Sequence, residues 1–472
     1  MKKLLCMLLM LSLLLTLAGC AKTEEAVSDA IAGYVPIMDS EIGYDSNVHY
    51  APDTESALDD RTDEYIAAVT TAATTAAATY SVMEEATWAA DAMMEAEMAA
   101  KAASEAMGKA ASRADGAADV TIPAITEPPK EPEVQVGSGM LTAGEWKDLE
   151  NIDFWVKVLN NNDWYSLMES RGLFANKIVP VKIVDGNGNP CFNVPVSLTD
   201  ESGKITYSAV SDIDGMAYLL YDLDNKKETA GRIVIGGVQY DIAAQGQTVV
   251  NLASAGVSAT KLDLLFMIDT TGSMGDELSY LQAELRDVIR RVSQSGQVFA
   301  INLSVNFYRD NGDEYVVRSF EFTSDIDKAI QQLSEQSPNG GGDYAEAVHL
   351  ALDDIVHNHQ WRNDAVKLCF MVLDAPPHTD REIRGIDDRM QLTVMDMAEQ
   401  GIRFIPLASS GVNTETEFLL RSWAVMTGGT YTFLTNHSGI GNSHLEPTIG
   451  QYEVEKLNDL LVRVICEYCG IK

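Results

Sequence analysis

The chain has 472 residues, of which 46% are hydrophobic, so it is long enough for two to four domains with substantial cores. Its 34 basic and 70 acidic residues give a formal net charge of −36. A chain this acidic lacks the cationic surface that releases counterions from phosphate. The charge therefore excludes nucleic acid as a partner class and favours the attraction of cations.

The first twenty residues predict export. Two lysines precede an apolar run over residues 4–16, which is too short to span a bilayer, and no other stretch approaches twenty apolar residues. The Leu-Ala-Gly-Cys stretch that ends at Cys20 resembles the lipobox of bacterial lipoproteins. That resemblance implies a signal peptide over residues 1–19, a lipid on Cys20 and an anchor on the extracytoplasmic face of the cell membrane. An ordinary signal peptide that happens to end in cysteine is the alternative.

Residues 20–137 have the composition of a tether. Ala, Thr, Met and Glu dominate residues 64–112, and a proline-rich stretch over residues 123–132 predicts a stiff linker. Residues 138–172 are predicted to form a short helical segment, which begins at the capping-box spacing of Thr142 and Glu145. Its aromatic side chains, among them Trp155 and Trp164, predict an apolar face that packs on the domain that follows.

Residues 173–254 change to a period of two. Alternating apolar residues such as Val194, Val196 and Leu198, separated by Gly/Asp turns, predict a small β-sandwich. These patterns are similar to those of carboxypeptidase-regulatory-like and bacterial Ig-like modules. Asp212 and Asp214 lie in one of the turns, where an Asx turn is favoured over calcium ligation.

Residues 255–472 alternate strands with helices. The continuous apolar run over residues 262–268 predicts a strand that is buried on both faces, and an amphipathic helix follows it. Further strands are predicted at 299–307, 316–322, 367–373, 403–407 and 430–434, with helices between them and at the C terminus. This order predicts a Rossmann-like α/β domain, an open and mostly parallel sheet with helices on both faces.

Oxygen-bearing side chains follow the predicted strands, at the edge of the sheet where ligands bind in such folds. Asp269, Thr271 and Ser273 come directly after the first strand of the domain, and Asp374 comes directly after the strand at 367–373. Asp343 ends a Gly-Gly-Gly-Asp loop before a predicted helix. Carboxylate and hydroxyl oxygens are ligands that a hard divalent cation prefers, and Mg²⁺ is favoured over Mn²⁺ or Ca²⁺.

The Asp269-x-Thr271-x-Ser273 pattern together with Asp374 resembles the metal-ion-dependent adhesion site of von Willebrand factor type A domains. The resemblance covers residues 261 to about 470. It implies that Thr271 and Ser273 bind the metal directly, that Asp269 and Asp374 bind it directly or through water, and that an acidic residue of a partner completes the shell. The usual threonine of the family's second loop is not evident. Asp343 either takes its place or caps the following helix.

Other polar residues near these loops are interpreted more simply. Asp276 and Glu277 are similar to an acid pair that builds an adjacent metal site in integrin-type relatives, but a favourable interaction with a helix N-terminus is preferred. Asp310, Asp313 and Glu314 are assigned to a solvated turn between strands in preference to a ligand set. His378 is assigned to a loop or a partner contact, because no nucleophile is placed beside it.

The leading hypothesis from the sequence is a lipid-anchored surface protein, not an enzyme, that binds a protein or another carboxylate-bearing ligand through a divalent cation. The chain has no HExxH, Gly-x-Ser-x-Gly or P-loop motif. The alternative is a structural or assembly lipoprotein whose metal only stabilises the fold. A metal-dependent hydrolase is the third hypothesis.

Overall fold

Residues 141–253, 256–295, 299–436 and 444–471 are described by a computed structural model of the protein. They all belong to one compact unit of the chain, residues 128–472. The predicted signal peptide, Cys20 and the tether over residues 20–137 lie outside the described residues. Within the described ranges, the structure contains no helix with the length and apolar content that a membrane crossing requires.

The strands of the described residues are β1 (Thr142–Trp146), β2 (Ile178–Asp185), β3 (Pro195–Asp200), β4 (Ile205–Val210), β5 (Met216–Leu220), β6 (Ala230–Ile235), β7 (Val238–Tyr240), β8 (Thr248–Leu252), β9 (Lys261–Asp269), β10 (Ala300–Tyr308), β11 (Val317–Arg318), β12 (Val366–Leu373), β13 (Ile402–Ala408), β14 (Tyr431–Leu434) and β15 (Glu455–Lys456). The α-helices are α1 (Ile152–Leu159), α2 (Asn162–Arg171), α3 (Gly275–Ser293), α4 (Ile326–Ser334), α5 (Val348–His357), α6 (Ile386–Gln400), α7 (Thr414–Thr427) and α8 (Leu457–Tyr468).

The largest sheet has the strand order β11-β10-β9-β12-β13-β14-β1-β15. The five strands from β10 to β14 in this order are parallel, and β11, β1 and β15 pair antiparallel at its two ends. Alternate residues of β9 lie in different apolar clusters, Leu264 and Phe266 with residues of α3 and α8, Leu265 and Met267 with residues of α5 and α6. Helices therefore cover both faces, and the predicted α/β fold is confirmed.

The start of the predicted helical segment was wrong. Residues 142–146 form β1, which lies in the large sheet between β14 and β15, and Thr142 and Glu145 make no capping box. The Thr142 hydroxyl instead lies 2.8 Å from that of Thr435. The helices of the segment, α1 and α2, begin only at Ile152 and Asn162.

The aromatic face of α1 and α2 packs against the α/β domain. Trp164 meets Trp155 and Phe418 of α7 edge to face, with ring centroids 6.1 and 6.0 Å apart. The Arg421 guanidinium of α7 lies over both tryptophan rings and binds Asp148 and Glu417. The predicted core role of these tryptophans agrees with the structure, but they pack on α7 as well as on the chain that directly follows them.

The region between β2 and β8 forms two small sheets, of orders β5-β2-β8 and β4-β3-β6-β7. The alternating burial of β2 matches the alternation in its sequence. Asp212 accepts hydrogen bonds from the backbone N–H groups of Asp214 and Met216, which makes the predicted Asx turn. These sheets also bond to the α/β domain, since Tyr207 Oη donates to the Met426 carbonyl and Arg403 donates to that of Val210.

Candidate metal centre

The first loop of the candidate site is short and internally bonded. β9 ends at Asp269, a 3-10 turn covers Gly272–Met274, and α3 begins at Gly275. The Asp269 carboxylate is fully buried, and its Oδ1 accepts hydrogen bonds of 2.8 and 2.7 Å from the backbone N–H and the hydroxyl of Thr271. Thr271 Oγ1 lies 3.3 Å from Ser273 Oγ. The loop thus presents two hydroxyl oxygens side by side above a buried carboxylate.

Asp374 lies in the same place because β12 is the direct neighbour of β9. Ser273 and Asp374 line the same cavity, and the Ser273 hydroxyl favours the charged form of the Asp374 carboxylate and so lowers its pKa, although burial outweighs this effect. On the other side, Gly411 has φ +106°, and a Cβ there would lie 3.4 Å from the Asp374 carbonyl oxygen. A glycine at position 411 therefore allows the loop after β13 to approach Asp374 closely.

A cavity of about 420 Å³ opens at this edge of the sheet. Its lining includes Thr271, Ser273, Asp343, Glu346 and Asp374. Asp269 does not line the cavity. It lies behind Thr271, whose hydroxyl donates a hydrogen bond to the Asp269 carboxylate. The structure thus brings together all five residues predicted from the sequence, four on the cavity wall and one beneath it.

Asp343 does not cap the next helix. It is exposed on the rim of the cavity, and α5 begins five residues later, with Ala347 as its N-terminal flanking residue. The loop before it is held by Asp313, whose Oδ2 accepts hydrogen bonds from the backbone N–H groups of Gly341 and Asp310. Asp313 lies in a partly exposed turn, as the sequence predicted, and its carboxylate also fixes the glycine loop.

Glu346 is the residue of the site that sequence reasoning missed. Its side chain lines the cavity, although the residue is only 3% exposed. Gly341 has φ +76°, and a Cβ there would lie 3.1 Å from Glu346 Oε1 and 3.2 Å from Thr271 Cβ, so glycine makes this approach possible. The sequence signal that could have indicated a buried acid is the position of Glu346 among small and apolar neighbours. A helix predicted directly after Asp343 concealed Glu346, because it placed the residue in an ordinary first turn.

The carboxylates of the site share a buried environment that disfavours their charge. Burial, with Asp374 as the next cause, raises the pKa of Asp269 to about 7. Burial also raises the pKa of Asp374 to about 6. For Glu346, burial and then Asp269 raise the pKa to about 9. Three acids with pKa values this strongly raised in one place identify a candidate functional site.

Each of these three acids has one carboxylate oxygen that accepts no hydrogen bond from the described residues. Asp269 Oδ2, Asp374 Oδ1 and Glu346 Oε2 are buried and have no hydrogen-bond partner. One cation at this cavity would bind no more than two of these carboxylates, and together with the hydroxyls of Thr271 and Ser273 they form an oxygen donor set that fits the predicted metal. In the described ranges, no three His, Cys, Asp or Glu side chains are arranged to hold a metal on their own. Hydroxyls and water would therefore complete the shell.

Two groups next to the site make contacts that their sequence assignments did not include. Glu277 is buried, and its Oε1 accepts a 2.7 Å hydrogen bond from the hydroxyl of Ser410, so it joins α3 to the loop after β13. Asp276 and Glu277 both stand in the first turn of α3, which agrees with the helix-dipole assignment, and Glu277 makes this contact in addition. His378 is buried, and its Nε2 lies 2.8 Å from Asp310 Oδ1, so neither of these residues belongs to a solvated surface.

Comparisons with known proteins bear on the same region. The sequence model of the family described as von Willebrand factor A domain matches residues 263–398, which include the four predicted motif residues and Asp343. A putative ariadne-like RING finger protein of Acanthamoeba polyphaga mimivirus is 32% identical over 120 residues, 25% of this chain. The chain covers only 11% of the length of that viral protein.

A structural comparison found a conserved hypothetical protein, BatB, from Bacteroides thetaiotaomicron. Its crystal structure covers 44% of this chain and 99% of its own, at 12% identity and a TM-score of 0.30. The family match and the observed sheet carry the assignment without this weak likeness. The protein contains a von Willebrand factor A domain, whose family match begins within β9 and ends within α6.

Proposed function

We propose that the protein is a lipid-anchored binding protein, not an enzyme, of the extracytoplasmic face of the cell membrane. Its von Willebrand factor A domain holds a divalent cation, Mg²⁺ by preference, which binds an acidic group of a protein or another carboxylate-bearing ligand. The observation that carries the proposal is a set of buried carboxylate oxygens without hydrogen-bond partners, on Asp374 and Glu346 in the wall of one cavity and on Asp269 beneath it.

The residues of the site have separate roles in this proposal. Thr271 and Ser273 supply hydroxyl ligands, and the bond from Thr271 to Asp269 fixes the first of them. Asp374 binds directly or through water, and Asp343 lies on the rim where a ligand arrives. The cation supplies a Lewis-acidic position for an incoming oxygen. The additional acids Glu346 and Asp343 make the site more negative than two carboxylates alone, which strengthens the hold on the cation and weakens the pull on an anionic ligand.

The first test is thermal unfolding with and without Mg²⁺ or Mn²⁺, for wild type, Thr271→Ala and Thr270→Ala. Thr270 is the matched control, because it is buried beside Thr271 but bonds to the Tyr308 carbonyl and the Tyr315 hydroxyl. A metal at one hundred times its dissociation constant adds about 2.7 kcal/mol to the free energy of unfolding. We expect metal to raise the melting temperature of wild type and Thr270→Ala but not of Thr271→Ala. No response in wild type would overturn the metal proposal.

A second test asks whether the bound cation keeps a position for a ligand. Mn²⁺ accelerates the relaxation of water protons that exchange on and off the metal. We expect acetate, as a minimal carboxylate, to lower this relaxation in the Mn²⁺-loaded protein by displacing water. An unchanged relaxation at saturating acetate would favour the alternative, in which the metal only stabilises the fold.

The lipid anchor is tested separately. Cys20→Ser removes the sulfur that would carry the lipid, so we expect the variant to leave the membrane fraction of expressing cells, while wild type stays there and incorporates labelled palmitate. Equal membrane retention of both forms, with no label in either, would contradict the anchor. The control is Cys191→Ser, because Cys191 is a buried residue of the described domain.

A further inference from the structure

Arg171 is a buried cation whose partners all lie elsewhere in the fold. It ends α2, ahead of the residues matched by the family model, and its side chain is 2% exposed. Its Nη1 donates to Asp387 Oδ1 at 2.9 Å and its Nε to Glu415 Oε1 at 2.8 Å. These carboxylates stand in the first turns of α6 and α7. The guanidinium thus joins three helices.

The same guanidinium binds the loop that follows Asp374. Arg171 Nη1 donates to the His378 carbonyl at 2.9 Å, and Nη2 donates to the Pro377 carbonyl at 3.2 Å. A planar guanidinium can bind adjacent acceptors in a fixed geometry, which the ammonium group of lysine cannot reproduce. Arg171 therefore fixes the direction of the backbone within four residues of Asp374.

The other side of this loop holds a second acid of the candidate site. The backbone N–H of Glu346 donates to the Pro376 carbonyl at 3.0 Å, and Glu346 forms an isolated parallel bridge with Pro377. His378 continues the contact to Asp310. A single loop, held from outside by Arg171, thus carries Asp374 at its start and positions the backbone of Glu346.

We propose that Arg171 is a positioning residue of the cation site, so that the metal affinity depends on α2 although this helix contributes no metal ligand. The inference rests on the proposed metal site and deepens it. Arg171 touches neither the cation nor a ligand, and it acts by holding the backbone of residues 376–378 against Glu346. Loss of groups that hydrogen-bond directly to metal ligands typically lowers metal affinity 10- to 100-fold, and Arg171 acts one step further out, through the loop backbone.

Arg421 provides the matched control. It is also buried, it binds Asp148 and Glu417, and it donates to the Thr448 carbonyl. Like Arg171, it joins the segment before β2 to α7, but the 376–378 loop is not among its partners. Both arginines therefore contribute to stability, and only one of them is placed to change the metal site.

The experiment measures Mg²⁺ affinity calorimetrically on the full-length chain for wild type, Arg171→Met, Arg171→Lys, Arg421→Met and Arg421→Lys. We expect Arg171→Met to weaken Mg²⁺ binding by about tenfold or more, Arg171→Lys to recover part of the loss, and the Arg421 variants to keep wild-type affinity at temperatures where they are folded. Equal effects of the Arg171 and Arg421 variants, or none, would overturn the proposal.

A metal-free measurement separates this inference from the proposed function. Hydrogen exchange at the Glu346 amide reports its bond to the Pro376 carbonyl. We expect faster exchange there in both Arg171 variants and unchanged exchange in Arg421→Lys. If wild type fails to bind Mg²⁺, the proposed metal function falls, while the exchange result still decides whether Arg171 holds this loop. Unchanged exchange in the Arg171 variants would overturn the positioning role.

Discussion

Glu346 is the acid whose charge depends most on a bound cation. In the metal-free protein, burial and the neighbouring Asp269 raise its pKa from 4.5 to about 9, so the folded state keeps its proton at neutral pH. A bound cation would reverse this preference, because a metal ligand must be deprotonated. Glu346 therefore opposes folding without metal and favours metal binding, and one substitution should separate the two effects.

The pH dependence of stability follows from this shift. The unfolded state releases the Glu346 proton above pH 4.5 and the folded state only near pH 9, so the folded state binds more protons between these values. The free energy of unfolding of the metal-free protein should therefore fall as pH rises through this window. Asp269 contributes in the same direction between 3.8 and about 7. Denaturant unfolding in EDTA at several pH values measures the slope.

The variant Glu346→Gln removes the titrating group and keeps the shape. We expect its metal-free stability to fall less than that of wild type between pH 7 and 9, and its Mg²⁺-induced rise in melting temperature to be smaller. Glu382→Gln is the control, because Glu382 has a lowered pKa and binds Thr379 outside the cavity. A slope and a metal response equal to wild type would show that Glu346 does not face the site.

The sequence could predict Asp269, Thr271, Ser273 and Asp374 because their positions follow from strand ends. Parallel neighbouring strands bring their carboxyl ends to one edge, and the apolar runs of β9 and β12 mark those ends. Glu346 could not be found in this way. Its burial depends on a backbone hydrogen bond to Pro376, which is distant in the sequence, and on the close approach of Gly341, which no local pattern predicts.

At the scale of elements, β1 is the unexpected member of the large sheet. Its five residues pair with β14 on one side and β15 on the other. A short strand of mixed composition carries no period that separates it from a helix start, and local spacing alone favoured the capping box. These residues form a strand because they pair with residues roughly 290 positions later in the chain, and no local pattern contains that information.

Gly144 tests the place of β1 in the sheet. A Cβ at this position would lie 2.7 Å from both Phe433 Cζ and Tyr452 Cδ2. We expect Gly144→Ala to lower the free energy of unfolding by about 1–3 kcal/mol through overpacking, as measured by denaturant unfolding. In the control Gly186→Ala, the new methyl meets nothing within 4 Å, and the change should stay within about 0.5 kcal/mol. Equal effects would contradict the packing of β1.

At the scale of the whole molecule, the small β-sheets and the α/β domain share an interface. Apolar residues of both belong to one buried cluster, and Tyr207 and Arg403 bond across the boundary. The sequence predicted both regions but no contact between them, because periodicity reports which face of an element is buried and not what covers it. We infer that the two regions unfold together.

Two buried thiols report on this cooperativity. Cys191 lies in the chain between β2 and β3, and Cys369 lies in β12 at the centre of the large sheet. Pulsed thiol labelling across a denaturant gradient, read by mass spectrometry, should show both becoming reactive at one midpoint. Labelling of Cys191 at a clearly lower denaturant concentration would mean that the region of the two small sheets unfolds independently.

The position of β1 between β14 and β15 also limits the order in which the chain can fold. The ribosome releases β1 long before either of its neighbours, so this edge of the sheet stays open until nearly the whole chain has been made. The pairing also has a high contact order, which slows its formation. A nascent chain that stops before β14 would expose an unpaired strand, and premature termination should therefore yield aggregation-prone fragments.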